Sequence, residues 1–224
     1  MAQFQVRPEY VSFDNYGTLI SWHMNAVARK MTSGQLDDVQ FKSFTYYFGK
    51  YRYDAVCGDY LPYNDILQNA YDRTCERFGI DSQKHAGETL GQAVASWGPH
   101  DGVISPLKTM AERYKLVILS NADDWHLKQS VPRLETEFHA VLTAEQAQAY
   151  KPRYQAFEYM LETLDAKPED FLHVSSHTRY DLMPADDLKF TNKILLDRGY
   201  DPHARSYNYH TVTSLDQVNQ MLGI

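Results

Sequence analysis

The stretch Tyr10-Val11-Ser12-Phe13-Asp14-Asn15-Tyr16-Gly17-Thr18-Leu19 sets the reading of the whole chain. A short, largely apolar run ends at an acid, and Gly17 then breaks it, which is the pattern of a buried strand entering a tight loop. Leu116-Val117-Ile118-Leu119 ends the same way in Ser120-Asn121. Phe171-Leu172-His173-Val174 ends in Ser175-Ser176, and Ile194-Leu195-Leu196 ends in Asp197. Ala140-Val141-Leu142 is a weaker fifth candidate. These runs are continuous rather than alternating, so they suit strands covered on both faces of a parallel sheet.

Helical periodicity fills the gaps. Ile104, Leu107, Met110, Ala111 and Tyr114 share one face, as do Tyr154, Phe157, Leu161 and Leu164. Leu215, Val218 and Leu222 mark a last helix. Strand–helix alternation of this kind predicts an α/β fold with a doubly wound, Rossmann-like parallel sheet. Residues 22–97 depart from the rhythm. Phe41, Phe44, Phe48, Tyr51 and Ala55 recur at helical spacing; so do Ile66, Ala70, Thr74 and Phe78, before a stop at Gly79. Leu90, Ala93, Val94 and Trp97 suggest another helix, closed by Gly98-Pro99. The expectation is a core of residues 1–21 and 98–224, with a helical subdomain, 22–97, inserted after the first strand.

Composition narrows the class. With 224 residues, 43% hydrophobic and 23% charged, the chain has globular proportions. A formal charge of −7 argues against nucleic-acid binding through a basic face. Cys57 and Cys75 form neither a CxxC pair nor a zinc cluster. No apolar run approaches a membrane span, and Met1 to Tyr10 lacks the apolar centre of a signal peptide. The expectation is a cytoplasmic protein with no membrane partner. The 17 tyrosines, many in the first third of the chain, ask for a separate explanation.

Ligands of open α/β sheets bind at the carboxyl ends of the strands. That rim should hold Asp14, Ser120-Asn121, Ser175-Ser176 and Asp197, with Lys151 of Tyr150-Lys151-Pro152 nearby. A strand-end aspartate held among backbone N–H groups stays ionised and can act as a nucleophile; Asp and Gly are also common in ordinary strand-end turns. Ser120 and Asn121 can orient a carboxylate or phosphate oxygen, or cap a helix. Lys151 can neutralise Asp14 and an anionic substrate. Asp181 can orient that lysine or a water, or cap the helix around Leu182 to Leu188.

Taken in order, strand-Asp-x-x-Gly-Thr-Leu, strand-Ser-Asn, Lys-Pro and strand-Ser-Ser-(x)4-Asp resemble the haloacid dehalogenase-like (HAD) hydrolase superfamily. The likeness covers essentially the whole chain, with residues 22–97 as the cap. Within the superfamily the chain looks most like the type II (S)-2-haloacid dehalogenases, whose first motif also carries tyrosine two places after the aspartate. The resemblance implies that Asp14 attacks C2 of a small 2-substituted carboxylic acid, and that water hydrolyses the resulting ester. Lys151 would hold Asp14, Thr18 and Asp181 would arrange the second step, and Ser120 with backbone N–H groups would bind the substrate carboxylate. Tyr16, Asn121, Ser175 and Ser176 join that substrate set. No metal or organic cofactor is implied, and a homodimer is. The superfamily's phosphatases carry a second aspartate at the Tyr16 position as general acid. Tyrosine supplies no comparable proton near neutral pH, so a magnesium-dependent phosphohydrolase is the less favoured reading.

The leaving-group side departs from the dehalogenase pattern. Alignment on Thr74-Cys75 without gaps puts Phe44 where these enzymes have a halide-binding arginine; Arg52 lies two turns further on. Phe157 replaces a tyrosine, His177 replaces an asparagine, and Asp181 comes one residue late. A related branch hydrolyses L-azetidine-2-carboxylate. An aromatic pocket drawing on Trp22 and cap tyrosines such as Tyr47, Tyr51, Tyr53 and Tyr60 would suit such a cationic substrate. The same residues equally explain cap packing. A non-catalytic binding protein on this fold is a further alternative. The nine histidines show no HxH or HExxH spacing, so no histidine metal site is expected.

Overall fold

Residues 7–224 are described by a computed structural model; residues 1–6 of the Met1–Tyr10 stretch lie outside that range. The first strand, β1, is Tyr10–Phe13 and is buried along its whole length. The chain divides into two compact units, one running through Ser21 and resuming at Gly98–Ile224, the other Trp22–Trp97. In the first unit the two crossings are tied together, Ser21 N to Gly98 O at 2.9 Å and His100 N to Leu19 O at 2.9 Å.

The Trp22–Trp97 unit is helical: α1 (Met24–Met31), α2 (Asp38–Val56), α3 (Tyr63–Phe78) and α4 (Ala86–Ser96). Asp37 starts α2 by accepting from Gln40 N while the Gln40 side chain accepts from Asp37 N, a reciprocal cap that satisfies two orphan donors. Gly79, at φ 62°, ends α3 as the sequence predicts. Phe44 sits at the centre of an aromatic cluster with Phe41, Phe48, Tyr71 and Phe78, ring centroids 5.6–6.2 Å apart. The tyrosines divide between roles. Tyr63 and Tyr71 are buried. Tyr47 lies 3.7 Å from the Arg77 guanidinium and Tyr51 4.4 Å from that of Arg73.

After Gly98 come α5 (Ile104–Ala111), β2 (Lys115–Ser120), α6 (Asp124–Ser130), β3 (Ala140–Thr143), α7 (Ala144–Ala147) and α8 (Tyr154–Thr163). They are followed by β4 (Phe171–Ser175), α9 (Met183–Asp187), β5 (Asn192–Leu196), β6 (His210–Val212) and α10 (Leu215–Leu222). The weak Ala140 run is a true strand, and β6 is one that no apolar run announces. The strands form one sheet in the order β3-β2-β1-β4-β5-β6, parallel throughout. Phe157 and Met160 of α8 pack with Phe190 and Ala185 onto Tyr10, Val117, Leu119 and Phe171 of the sheet. Each fully buried side chain of this size contributes about 1.5–3 kcal/mol. No helix among the described residues is long and apolar enough to cross a membrane.

β1 lies between β2 and β4, so the order reverses at its edge. Crevices form at such a switch point, outside the carboxyl ends of the strands. Asp14 is the first residue beyond β1.

Candidate active site

Four segments far apart in sequence meet at that point. Lys151 is 1% exposed, yet all three of its ammonium N–H groups are matched: Asp14 Oδ1 at 2.9 Å, Asp181 Oδ1 at 2.7 Å and Leu119 O at 2.7 Å. The other Asp14 oxygen accepts from Thr18 Oγ1 at 2.8 Å. Thr18 Oγ1 in turn accepts from Ser176 N at 2.9 Å, which couples the first motif to the end of β4. Burial works against the Lys151 charge, but Asp14 and Asp181 outweigh it and hold its pKa above the ordinary lysine value. Burial likewise opposes the Asp181 charge; Lys151 and His173 prevail and hold that carboxyl well below its usual range.

The loop geometry follows from Gly17. Its φ is 93°, a region L side chains rarely adopt, and an added Cβ would lie 2.8 Å from His177 Nε2. The sharp turn lets the Asn15 carbonyl take the N–H groups of Thr18, Leu19 and Ile20. Asp181 reaches Lys151 from a π-helical turn, Thr178–Leu182, closed by Leu182 N to His177 O at 3.4 Å. A π turn holds one residue more than an α turn. This accounts for an aspartate one place late in sequence arriving at the lysine.

The remaining predicted residues are distributed unevenly. Asn121 is not open toward a substrate: its amide clamps the Lys151 backbone, Nδ2 to Lys151 O and Oδ1 to Lys151 N, both at 2.7 Å. Tyr16 donates to the His126 carbonyl at 3.1 Å; burial above all, set against hydrogen bonding with Ser130 and the Arg133 charge, pushes its pKa up to about 12. Ser175 Oγ accepts from His177 N at 3.0 Å. Ser120 and Ser176 are buried, and their hydroxyls have no hydrogen-bond partner among the described residues. His177 stacks on Tyr200 with its Nδ1 3.8 Å from Asp201. Burial disfavours its charge, yet the facing Asp201 carboxylate and the charges of Asp14 and Asp181 leave its pKa raised. Asp197 is taken up by Gly199 N and His203, each at 2.9 Å. Arg52 and Trp22 belong to the helical unit, where the guanidinium lies 5.0 Å from the ring centroids of Trp22 and Phe48.

Three participants escaped the sequence reading. Ser12 and His173 hide inside apolar strands, and only the β1–β4 register brings them together. Arg198, just past β5, donates to Thr18 O at 3.2 Å and supports the first loop; its only sequence signal is a cation after a strand.

Both Asp14 oxygens and one oxygen of Asp181 are bound by Thr18, Lys151 and His173. Among the described residues, no cluster of three or more His, Cys, Asp or Glu side chains could hold a metal ion.

No family model matches the chain. It is 27% identical over 177 residues to haloacetate dehalogenase H-2 of Moraxella sp. (strain B), covering 75% of this chain and 77% of that protein. It is 22% identical over 173 residues to (S)-2-haloacid dehalogenase 1 of Pseudomonas sp. (strain CBS-3), covering 75% of each. An L-2-haloacid dehalogenase from Xanthobacter autotrophicus with chloropropionic acid covalently bound superposes with TM-score 0.73 at 18% identity, over 96% of this chain and 98% of that one. A magnesium-bound protein of HAD-hydrolase type from Bacillus subtilis superposes at 0.79 with 14% identity, over 97% and 100%. The fold is therefore shared by proteins that differ in what they bind, and the site residues must separate them. By sequence the chain is similar to these two dehalogenases, and by fold it matches the solved L-2-haloacid dehalogenase.

Proposed function

We propose that the protein is a dehalogenase-type hydrolase that acts, without a metal, on a small 2-substituted carboxylic acid through an aspartyl ester. The observation that carries this reading is the buried Asp14–Lys151–Asp181 cluster with Thr18 on the second Asp14 oxygen. It holds an ionised carboxylate rigidly, at a switch point, with a cation where a metal would otherwise neutralise it.

In the first step an Asp14 oxygen attacks C2, the carbon–leaving-group bond breaks, and the leaving group departs with its electron pair. The Ser120 and Ser176 hydroxyls supply donors for the substrate carboxylate. Water then adds to the aspartyl ester carbon. Asp181 Oδ2, buried and without a partner among the described residues, can take the water proton. Collapse releases the 2-hydroxy acid, its oxygen from Asp14 taking back the proton held by Asp181, and restores the Asp14 carboxylate with one oxygen from water as the second water proton leaves to solvent. Lys151 balances charge on the cluster throughout. Tyr16, Ser175 and His177 are proposed for shaping the substrate site, and Asn121 for holding Lys151.

The alternatives are less well supported. Tyr16 is anchored to a carbonyl with its pKa near 12, so it offers no general acid for a phosphate ester. The relatives are dehalogenases, which does not favour azetidine-2-carboxylate hydrolysis or a pure binding role. A homodimer and a cytoplasmic setting complete the proposal.

The test is halide release from 2-halocarboxylates with and without EDTA. Release should be unaffected by chelation and fall about 10³-fold or more in Asp14→Asn. Turnover of phosphate esters that EDTA abolishes would contradict the proposal.

A further inference from the structure

A buried polar line runs behind the nucleophile, and its far end, Ser12 and His173, is used by neither the sequence motifs nor the mechanism above. His173 lies in the middle of β4 with no solvent exposure, in a strand whose other residues are also buried. Its Nδ1 is 2.9 Å from Ser12 Oγ on β1, its register partner, and its Nε2 is 3.1 Å from Asp181 Oδ1. That same Asp181 oxygen accepts from Lys151, which holds Asp14. We infer that His173 is a positioning residue, locked by Ser12 and donating through Nε2 to Asp181, so that Asp181 fixes Lys151 and Lys151 fixes the nucleophile.

The tautomer follows from hydrogen-bond arithmetic. An ionised carboxylate only accepts, so the proton between His173 and Asp181 sits on Nε2. Nδ1 is then free to accept the Ser12 hydroxyl, which pins the ring from its other side. Phe157 and Phe190 flank the imidazole at 5.5 and 6.2 Å, so the ring has apolar walls and little freedom to turn. From β5, the register partner Lys193 directs its ammonium to Phe190 O and to Asp186. From the π turn Asp181 faces His173, and Lys151 and Asp14 follow beyond it. A buried polar pair inside a sheet is retained only when each partner is satisfied. Here the pair leads directly to the catalytic lysine.

This inference rests on the proposed hydrolase chemistry for its kinetic readout, but not for its spectroscopic one. In the full-length protein labelled with nitrogen-15, His173 should show the Nε2–H tautomer with a solvent-protected ring proton, and Asp181→Asn should shift that resonance. With a 2-halocarboxylate, His173→Gln keeps a donor at the Nε2 position and should hold kcat within about threefold. His173→Phe should lower kcat about 30- to 100-fold at nearly unchanged KM, the scale expected when a reacting group is slightly misplaced. The acid limb of its pH profile should also move upward, because Asp181 loses a donor that keeps it ionised. An Nδ1–H tautomer, or a folded His173→Phe with wild-type kcat and pH profile, would overturn the inference. If the wild type turns over no 2-halocarboxylate, the functional proposal fails while the tautomer measurement still decides the role of His173.

Discussion

At Lys151 one ammonium stands between two carboxylates in a place where none of the three is well hydrated. Such a cluster is stable only while it is complete, since removing one partner from a buried ion pair leaves an uncompensated charge worth about 3–5 kcal/mol. Lys151→Met should therefore unfold at lower urea concentration at pH 7 by about that amount. The pH dependence has a fixed sign. Asp181 has a lowered folded pKa, so its contribution is complete well above the ordinary carboxyl value of 3.8 and is lost as pH falls below it. Lys151 has a raised folded pKa, so its contribution is complete below 10.5 and is lost as pH rises through the folded value. The stability gap between wild type and Lys151→Met should narrow in acid, as protonation neutralises Asp181. A gap that stays constant from pH 7 to well below 3.8 would mean the Asp181 carboxylate does not depend on the lysine.

The π turn at Thr178–Leu182 and the aromatic interior of α2 and α3 show how elements absorb changes that look damaging in sequence. The late Asp181 still reaches Lys151 because the wider turn takes up one residue. Phe44, where the resemblance places a halide-binding arginine, is fully buried among four aromatic rings. Phe44→Ala should cost about 3–5 kcal/mol, read from denaturant midpoints; a change below about 1 kcal/mol would deny Phe44 its place in that interior. The main strands were legible because each ends a continuous apolar run in polar residues. β6 was not: His210, Thr211 and Val212 make a three-residue edge strand whose first two residues are exposed. α1 was equally hard to see, since its buried set is only Met24, Ala28 and Met31. At the site, Asp14, Thr18, Lys151 and Asp181 were legible from motif order. The use of Asn121 as a backbone clamp and the Ser12–His173 contact, 161 residues apart in sequence, depend on pairing that no local pattern encodes.

Across the whole molecule, the parallel sheet does the assembling. Its order reverses beside β1, and the ends of β1, β2 and β4 bring Asp14, Ser120 and Ser176 to one edge of the core unit, with Lys151 and Asp181 arriving from the loops that follow β3 and β4. The helical unit carries Arg52 5.0 Å from the Trp22 ring centroid and one departure from the dehalogenase pattern, Phe44; the other departures, Phe157, His177 and the late Asp181, lie in the core unit. In the proposed reaction the covalent step is assigned to core-unit residues. The central claim is that Asp14 itself becomes esterified. It is tested most directly by a single turnover of a 2-halocarboxylate in heavy-oxygen water with enzyme in excess. The account predicts a 2-hydroxy acid product without heavy oxygen and an Asp14-containing peptide that has gained it; heavy oxygen in the product of that first turnover would contradict it.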